Sequence, residues 1–254
     1  GEKIAFLGDS ITQQGAGSPS GYVRLVISGL EANGVKAQAI PAGISGHKSN
    51  QMLERLDRDV IEKKPDWMTL SCGVNDVWHG AGGVPLDQYK TNITAIVDKA
   101  QAAGIKVMIL TATMIQEDQS NENNQKLVAY NDFLRALAVE KKCLLADLNA
   151  DMQAALKAAP PHKGNWLTSD GVHMNPLGNQ MMAEGVLKAF GLNDAQMQKA
   201  REAWSGIPQN VGASITLGQY NRLNDLAAKQ NRTVNDLINE ELAKAIESLL
   251  KQVE

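Results

Sequence analysis

The chain has 254 residues, of which 43% are hydrophobic and 21% are charged, and its formal net charge at pH 7 is -3. This length is enough for one substantial core with a small appendage. The charge balance has no basic excess of the kind that binds nucleic acid, and the longest apolar runs have the length of strands rather than of membrane spans. We therefore expect a globular protein that binds neither nucleic acid nor a membrane.

The first residues of the chain and its two cysteines indicate in which cellular compartment the protein works. The chain begins at Gly1, without a Met and without a signal-like apolar segment. This start favours a processed protein that is secreted or periplasmic, and a cytoplasmic location stays open. The two cysteines, Cys72 and Cys143, fall in the predicted third and fifth strands of a sheet, about 9–10 Å apart and beyond disulfide reach. We expect both to be buried thiols, since no base that would make Cys72 a nucleophile is evident beside it.

Strand-like and helix-like segments alternate along the first 190 residues. The predicted strands are 3–7, 35–42, 66–71, 105–112 and 143–147. The predicted helices, read from apolar spacing and from Gly and Pro stop signals, are 22–32, 50–64, 86–103, 123–140, 151–159 and 176–190. Such alternation indicates a parallel sheet with right-handed crossovers and helices on both faces. The predicted fold is a flavodoxin-like three-layer α/β/α sandwich with a five-stranded parallel sheet in the order 2-1-3-4-5.

Four segments would meet at the carboxyl edge of this sheet. They contain more polar groups than a strand-to-helix connection requires. They are Gly8-Asp9-Ser10-Ile11-Thr12 after the first strand, residues 42–49 after the second, residues 73–76 after the third, and residues 169–175 before the helix at 176–190. Each segment alone is ordinary, because Gly, Asp, Ser and Asn are common in turns and helix caps. Their joint occurrence in this order favours a functional site.

These four segments resemble the sequence blocks of the SGNH hydrolases, the GDSL-type esterases and lipases, over residues of about 3–190. The matching residues are Gly8-Asp9-Ser10, then Gly46 within Ile-Ser-Gly-His, then Gly73-x-Asn75-Asp76, and finally Asp170-x-x-His173. Ile11 stands where the nickname of the family has leucine, a change that leaves the chemistry intact.

The resemblance implies a set of catalytic roles. Ser10 would be the nucleophile, His173 the general base and then acid, and Asp170 the group that orients His173. An oxyanion hole would consist of the backbone N–H of Ser10, the backbone N–H of Gly46 and the side-chain amide of Asn75.

Gly43 and Asp9 also lie in these segments. Gly43 stays an alternative to Gly46 as the oxyanion donor, although the block places the donor at Gly46. Asp9 is expected to be structural and to hold the Ser10 and Asn75 loops together. No cofactor and no metal is expected, because the four histidines have no ligand-like spacing.

The substrate is indicated only by the side chains near the predicted site. His47, Trp78, His79 and Trp166 are candidates for the rim of the pocket, with packing or solvated positions as the alternative. Tryptophans on a polar rim suit a sugar and a short acyl group better than a long apolar chain. The sequence therefore favours a serine esterase that removes short acyl groups, chiefly acetyl, from a small-molecule or polysaccharide ester. The alternatives are a thioesterase, lysophospholipase or acyltransferase with the same site, or a non-catalytic binding or assembly protein.

The sequence changes character near residue 191, where we place a boundary between a hydrolase domain, 1–191, and a mostly helical extension, 192–254. The extension has predicted helices at 193–204, 220–230 and 234–251, a linker at 207–212 and a strand-like segment at 214–217. The order strand, helix, turn, helix resembles in outline a ribbon-helix-helix module, a dimeric DNA-binding fold. Five basic and six acidic residues over 214–254 argue against DNA binding. An apolar stripe along the last helix favours packing on the core or a homo-oligomer.

Overall fold

A parallel five-stranded sheet forms the centre of the first part of the chain, in a computed structural model that describes residues 1–209 and 214–252. Its order is β2-β1-β3-β4-β5, with the strands β1 (Glu2–Gly8), β2 (Ala37–Gly43), β3 (Trp67–Ser71), β4 (Lys106–Leu110) and β5 (Leu144–Ala146). Neighbouring strands all pair in parallel. The predicted fold class and strand order are confirmed.

Helices pack in two groups against this sheet. One group contains α1 (Ser10–Gly17), α2 (Tyr22–Ala32), α7 (Leu148–Ala158), α8 (Pro176–Ala189) and α9 (Asp194–Ser205). The other contains α3 (Ser49–Asp59), α4 (Val74–Trp78), α5 (Leu86–Ala102) and α6 (Glu122–Glu140). Because both faces are covered, Ile4–Leu7 of β1 and Val107–Leu110 of β4 are buried without alternation.

Two helices begin where the sequence predicts loops. Helix α1 starts at Ser10 because Asp9 caps it, its carboxylate accepting a hydrogen bond of 2.9 Å from the Ile11 N–H. Helix α4 starts at Val74, directly after Gly73, whose φ of 136° turns the chain out of β3. Both helices are short and rich in turn-forming residues, so their composition did not predict them.

Other element boundaries differ by a few residues. Helix α3 ends at Asp59 and is followed by a 3₁₀ turn, Ile61–Lys63, instead of continuing to residue 64. Helix α7 begins at Leu148 rather than at 151, because the Asp147 carboxylate caps it.

The two cysteines lie just outside the strands to which the sequence assigned them. Cys72 follows β3, Cys143 precedes β5, and both are free thiols. Cys72 is buried as expected, whereas Cys143 is only half-buried, at the start of the short edge strand. Burial raises the pKa of the Cys72 thiol well above its usual range, and the nearby Asp76 carboxylate raises it further. Such a thiol is a poor nucleophile.

The first compact unit extends to Pro208, further along the chain than the boundary expected after residue 191. Helix α9 belongs to it, because the Trp204 side chain is buried and its indole N–H donates to the Leu25 carbonyl over 3.0 Å. The side-chain amide of Asn33 likewise donates to the Gln196 carbonyl. The amphipathic pattern of α9 predicted a helix but not the surface that it covers.

The second compact unit contains α10 (Leu217–Lys229) and α11 (Val234–Leu250). The strand expected at 214–217 is wrong: residues 214–216 form no strand, and α10 begins at Leu217 with Thr216 and Gln219 forming a capping box. Residues 210–212 of the expected linker lie outside the described residues. No helix within residues 1–209 and 214–252 is both long and apolar enough to cross a membrane.

Candidate active site

Ser10, His173 and Asp170 form a continuous line of hydrogen bonds. The Ser10 Oγ lies 2.9 Å from His173 Nε2, and His173 Nδ1 lies 2.6 Å from Asp170 Oδ2. Ser10 and His173 are 163 positions apart in the chain. Such an arrangement can move a proton from the hydroxyl to the imidazole while the carboxylate fixes the ring.

Asp170 is held as an anion by the turn that carries it. Its other oxygen, Oδ1, accepts from the backbone N–H of Val172 over 3.0 Å and of His173 over 2.8 Å. Burial alone would raise the pKa of Asp170, but the bonds from the His173 side chain and from the two N–H groups outweigh it and lower the pKa to about 2. The spacing of three residues therefore fixes the carboxylate beside the imidazole.

The nucleophile candidate stands at the first position of α1. Ser10 is buried, with 8% of its surface exposed. Its N–H belongs to the first turn of the helix, where backbone donors have no intrahelical acceptor. Among the described residues this N–H donates no hydrogen bond. A free donor next to the serine oxygen can bind developing negative charge.

Gly46 offers a second backbone donor in a tight turn. The turn is closed by the His47 N–H, which donates to the Ile44 carbonyl over 3.2 Å, and Gly46 has a φ of 75°. Its N–H has no acceptor in the described parts of the chain. Gly43 has a packing explanation instead, because a Cβ there would lie 2.4 Å from the backbone nitrogen of Gln13.

The Asn75 side chain joins three loops. Its amide nitrogen lies 3.2 Å from the His47 carbonyl oxygen and 3.4 Å from Asp9 Oδ2. Its amide oxygen lies 3.3 Å from His79 Nε2. These contacts are long for hydrogen bonds, so an oxyanion would compete with them for the amide N–H groups.

A buried guanidinium that the sequence did not predict supports the same edge of the sheet. Arg55 of α3 is only 5% exposed and donates over 2.8 Å to the carbonyls of both Gly8 and Ala42, at the ends of β1 and β2. It also donates over 3.2 Å to His47 Nδ1 and pairs with Asp59 over 3.0 Å. Burial lowers the pKa of His47, and the Arg55 charge lowers it further. The only sign of this role in the sequence is that Arg55 and Asp59 are four residues apart, a spacing at which side chains of a helix form salt bridges.

A second residue that the sequence did not assign, Glu117, fixes the segment that leads to Asp170. Its carboxylate accepts from the backbone N–H groups of Trp166, Leu167 and Thr168 over 2.6–2.8 Å and from the Thr168 hydroxyl over 2.8 Å. Burial raises the pKa of Glu117, but these four bonds outweigh it and lower the pKa below its usual value. The polar run after β4 was visible in the sequence, but its partner, some 50 residues away, was not.

The four rim candidates have different surroundings. His47 is engaged with Arg55, and His79 with Asn75, as described above. The Trp78 ring is 41% exposed and stacks on His79 with ring centroids 6.1 Å apart. Trp166 is half-buried, and its ring lies 5.0 Å from that of His162. Thus His47 and His79 contact the Asn75 network directly, whereas Trp166 lies on the segment that Glu117 holds.

Comparison with known proteins decides the family. Residues 6–181 match the model of the GDSL-like lipase/acylhydrolase family. The chain belongs to this family. This GDSL-type chain is a carboxylic ester hydrolase, as the sequence blocks implied.

Several relatives match more than half of this chain. An acetylxylan esterase of Geobacillus stearothermophilus is 28% identical over 210 residues, which are 75% of this chain and 94% of the relative. Esterase TesA of Pseudomonas aeruginosa is 28% identical over 145 residues, 57% of this chain and 69% of its own length. The solved structure of an acetyl xylan esterase, AlAXEase, has a TM-score of 0.69 and 37% identity, covering 74% of this chain and 98% of that one. About a quarter of the GDSL-type chain therefore has no counterpart in that structure.

The buried Asp9 carboxylate predicts a measurable pH dependence of stability. Burial raises its pKa from 3.8 to about 6, although the Ile11 N–H bond opposes the shift and Asp76 adds to it. The folded state thus binds this proton more tightly than the unfolded state, so ionised Asp9 destabilises the fold above pH 6 and the cost disappears as the pH falls. The free energy of unfolding of Asp9→Asn minus that of the wild type is expected to increase by about 2 kcal/mol from pH 4.5 to pH 8.

Urea unfolding at the two pH values measures this difference. Asp87→Asn removes an exposed carboxylate on α5 and serves as the control, without a comparable change. A difference for Asp9→Asn that is the same at both pH values would contradict the assignment of the shift to this carboxyl.

Glu117→Gln is expected to loosen the segment before Asp170. Glutamine has one acceptor oxygen where the carboxylate accepts four bonds, so at least one N–H is left facing an amide donor. We expect a loss of about 1–3 kcal/mol in the free energy of unfolding and a fall in kcat of about tenfold, with a smaller change in KM. Asp118→Asn, which alters the neighbouring exposed carboxylate, is the control. Unchanged kcat and stability in Glu117→Gln would show that the four bonds do not position the Asp–His turn.

Proposed function

We propose that this enzyme is a serine esterase that removes acetyl groups from a carbohydrate, with Ser10 as its nucleophile, His173 as its base and Asp170 as the orienting acid. The observation that carries the proposal is the line of hydrogen bonds from Asp170 through His173 to Ser10, with lengths of 2.6 and 2.9 Å. These distances are in the range of a working nucleophile and base.

The reaction follows from the positions of these three groups. Ser10 Oγ attacks the ester carbonyl while His173 Nε2 accepts its proton, and Asp170 stabilises the imidazolium that forms. The tetrahedral intermediate collapses when His173 returns the proton to the leaving sugar hydroxyl, which leaves an acetyl ester on Ser10. Water then attacks this ester with His173 again as the base, and acetate and free Ser10 result.

Negative charge on the carbonyl oxygen needs donors that are already in place. The N–H groups of Ser10 and Gly46 have no acceptor in the described residues, and the Asn75 amide is oriented by long contacts that an anion can replace. We assign these three groups to the oxyanion hole. Each such donor lowers the activation free energy of the reaction by about 3–4 kcal/mol.

The names of the relatives and the side chains at the rim support an acetylated carbohydrate as the substrate. Two of the compared proteins are named acetylxylan or acetyl xylan esterases. The exposed Trp78 ring and the half-buried Trp166 offer apolar faces on which a sugar ring can stack. We assign these two tryptophans, together with His47 and His79, which both contact Asn75, to the substrate side of the site.

Acetate release from acetylated xylooligosaccharides tests the proposal, alongside hydrolysis of p-nitrophenyl acetate, butyrate and octanoate. We expect kcat/KM to fall with acyl length, and Trp78→Ala and Trp166→Ala to raise KM for the oligosaccharide but not for p-nitrophenyl acetate. Octanoyl esters or acyl thioesters turned over faster than acetyl esters would replace the proposal with a thioesterase or lysophospholipase. Absence of turnover on every ester would favour a binding protein.

A further inference from the structure

The second compact unit has an apolar groove along its two helices. The groove has a volume of about 720 Å³, and residues of both α10 and α11 line it. Six of them are apolar: Leu223, Leu226, Leu237, Ile238, Leu242 and Ala245. The stripe continues along α11 to Ile246 and Leu249, which are 41% and 62% exposed.

The two helices do not bury this stripe between themselves. Only Ala227 and Val234 are buried among the described residues of this unit. With 39 described residues from 214 to 252, the unit is below the size at which a hydrophobic core is usually sufficient without disulfides, metals or association. A further apolar surface is therefore needed for its stability.

In the described residues of the first unit, no helix carries a continuous stripe of exposed large apolar side chains. The exposed large apolar side chains of this unit are scattered over different elements: Val35, Trp78, Val128, Val139 and Leu177. The two on α6 are eleven residues apart, about three helical turns. The AlAXEase structure is 98% covered by about three quarters of this chain, so that domain is complete without a counterpart of the remaining quarter. A stripe of equal length and apolar character exists on the same hairpin of a second copy.

The charges beside the groove also suit pairing with a second copy. Positively and negatively charged side chains both lie along the groove, and Arg232 and Lys244 are each 2.8 Å from Glu240. A partner of strong positive or negative charge would need a rim of one sign, whereas a rim of mixed charge can face itself across a twofold axis.

We propose that the apolar face of α10 and α11 is the interface of a symmetric dimer of this chain, in which each hairpin covers the other. Four of these eight side chains, Leu223, Leu237, Ile238 and Leu242, are already half-buried within the hairpin, so the exposed four and the flanking charged residues supply most of the surface to be covered. A stable interface buries about 800 Å² per partner, so the dimer would use the whole face with its charged rim and not the apolar groove alone. The proposal is independent of the assignment of the catalytic residues.

Two alanines on α11 provide a matched test in the full chain. Ala245 lines the groove and Ala243 does not, so Ala245→Asp and Ala243→Asp introduce the same charge on the same helix. Light scattering during size-exclusion chromatography at 1–50 µM should give the wild type and Ala243→Asp twice the 27.4 kDa of one chain. Ala245→Asp should raise the dissociation constant at least about 30-fold.

Circular dichroism and hydrolysis of p-nitrophenyl acetate show whether each variant remains folded, and we expect the activity to be unchanged. If Ala245→Asp loses helix, Ile246→Lys replaces it, because this side chain is 41% exposed and lysine is a good helix former. A wild type that is monomeric at 50 µM overturns the proposal, since the groove then serves another partner or the chain itself. A dimer that resists both groove variants overturns it as well.

Discussion

Ser10→Ala is expected to reduce kcat for ester hydrolysis by about 10⁴- to 10⁶-fold, since it removes the atom that would carry the acyl group. Among the described residues the hydroxyl makes one side-chain hydrogen bond, with His173, so the melting temperature should change little. Hydrolysis of p-nitrophenyl acetate by purified wild type and variant measures the effect. Circular dichroism on the same samples shows whether both are folded.

Cys72→Ala is the matched control, because Cys72 is a second nucleophilic side chain near the Asn75 loop. It is buried, and its Sγ lies 3.4 Å from Asp76 Oδ2. We expect its kcat to stay within about threefold of the wild type, because a thiol of raised pKa takes no part in attack. Full activity in Ser10→Ala, or loss of it in Cys72→Ala, would reverse the assignment of the nucleophile.

Asn75→Ala has the second largest expected effect, a fall in kcat of about 10²–10³ with a modest change in KM. The loss falls on kcat because the amide N–H groups would bind the oxyanion more strongly than the ground-state carbonyl. Steady-state kinetics on p-nitrophenyl acetate separates the two constants.

Two further variants distinguish donation by Asn75 from its structural contacts. Asn75→Asp keeps the size of the side chain but has no N–H group, and it should be at least as impaired as Asn75→Ala. His79→Ala removes the contact to the amide oxygen together with the stacking on Trp78 but leaves the amide N–H groups in place, and its kcat should fall less than tenfold. Comparable losses in His79→Ala and Asn75→Ala would mean that Asn75 acts by holding the loops.

The two missed helices and the tail show where local patterns stop being informative. Asp9 is a turn residue in the sequence, and only its bond to the Ile11 N–H reveals it as a helix cap. The segment at 214–217 has strand-like composition, yet the capping box of Thr216 and Gln219 starts a helix there. In both places a local side-chain cap, and not the composition of the segment, decides where the helix begins.

The sequence alone determined the features that repeat or lie close together in the chain. Alternating strand-like and helix-like segments predicted a parallel sheet, and its carboxyl edge was the expected meeting place of the four polar segments. The flavodoxin-like strand order 2-1-3-4-5 that we expected is the order observed. The spacing of three from Asp170 to His173 was sufficient to join their side chains. Tertiary structure alone decided the contacts between distant segments: the 2.9 Å from His173 to Ser10, the bonds of Arg55 to two strand ends, and the bonds of Glu117 to the segment before Asp170. Periodicity and capping act over a few residues, whereas these contacts join side chains and backbone 13–163 residues apart, whose meeting depends on how helices pack across the sheet.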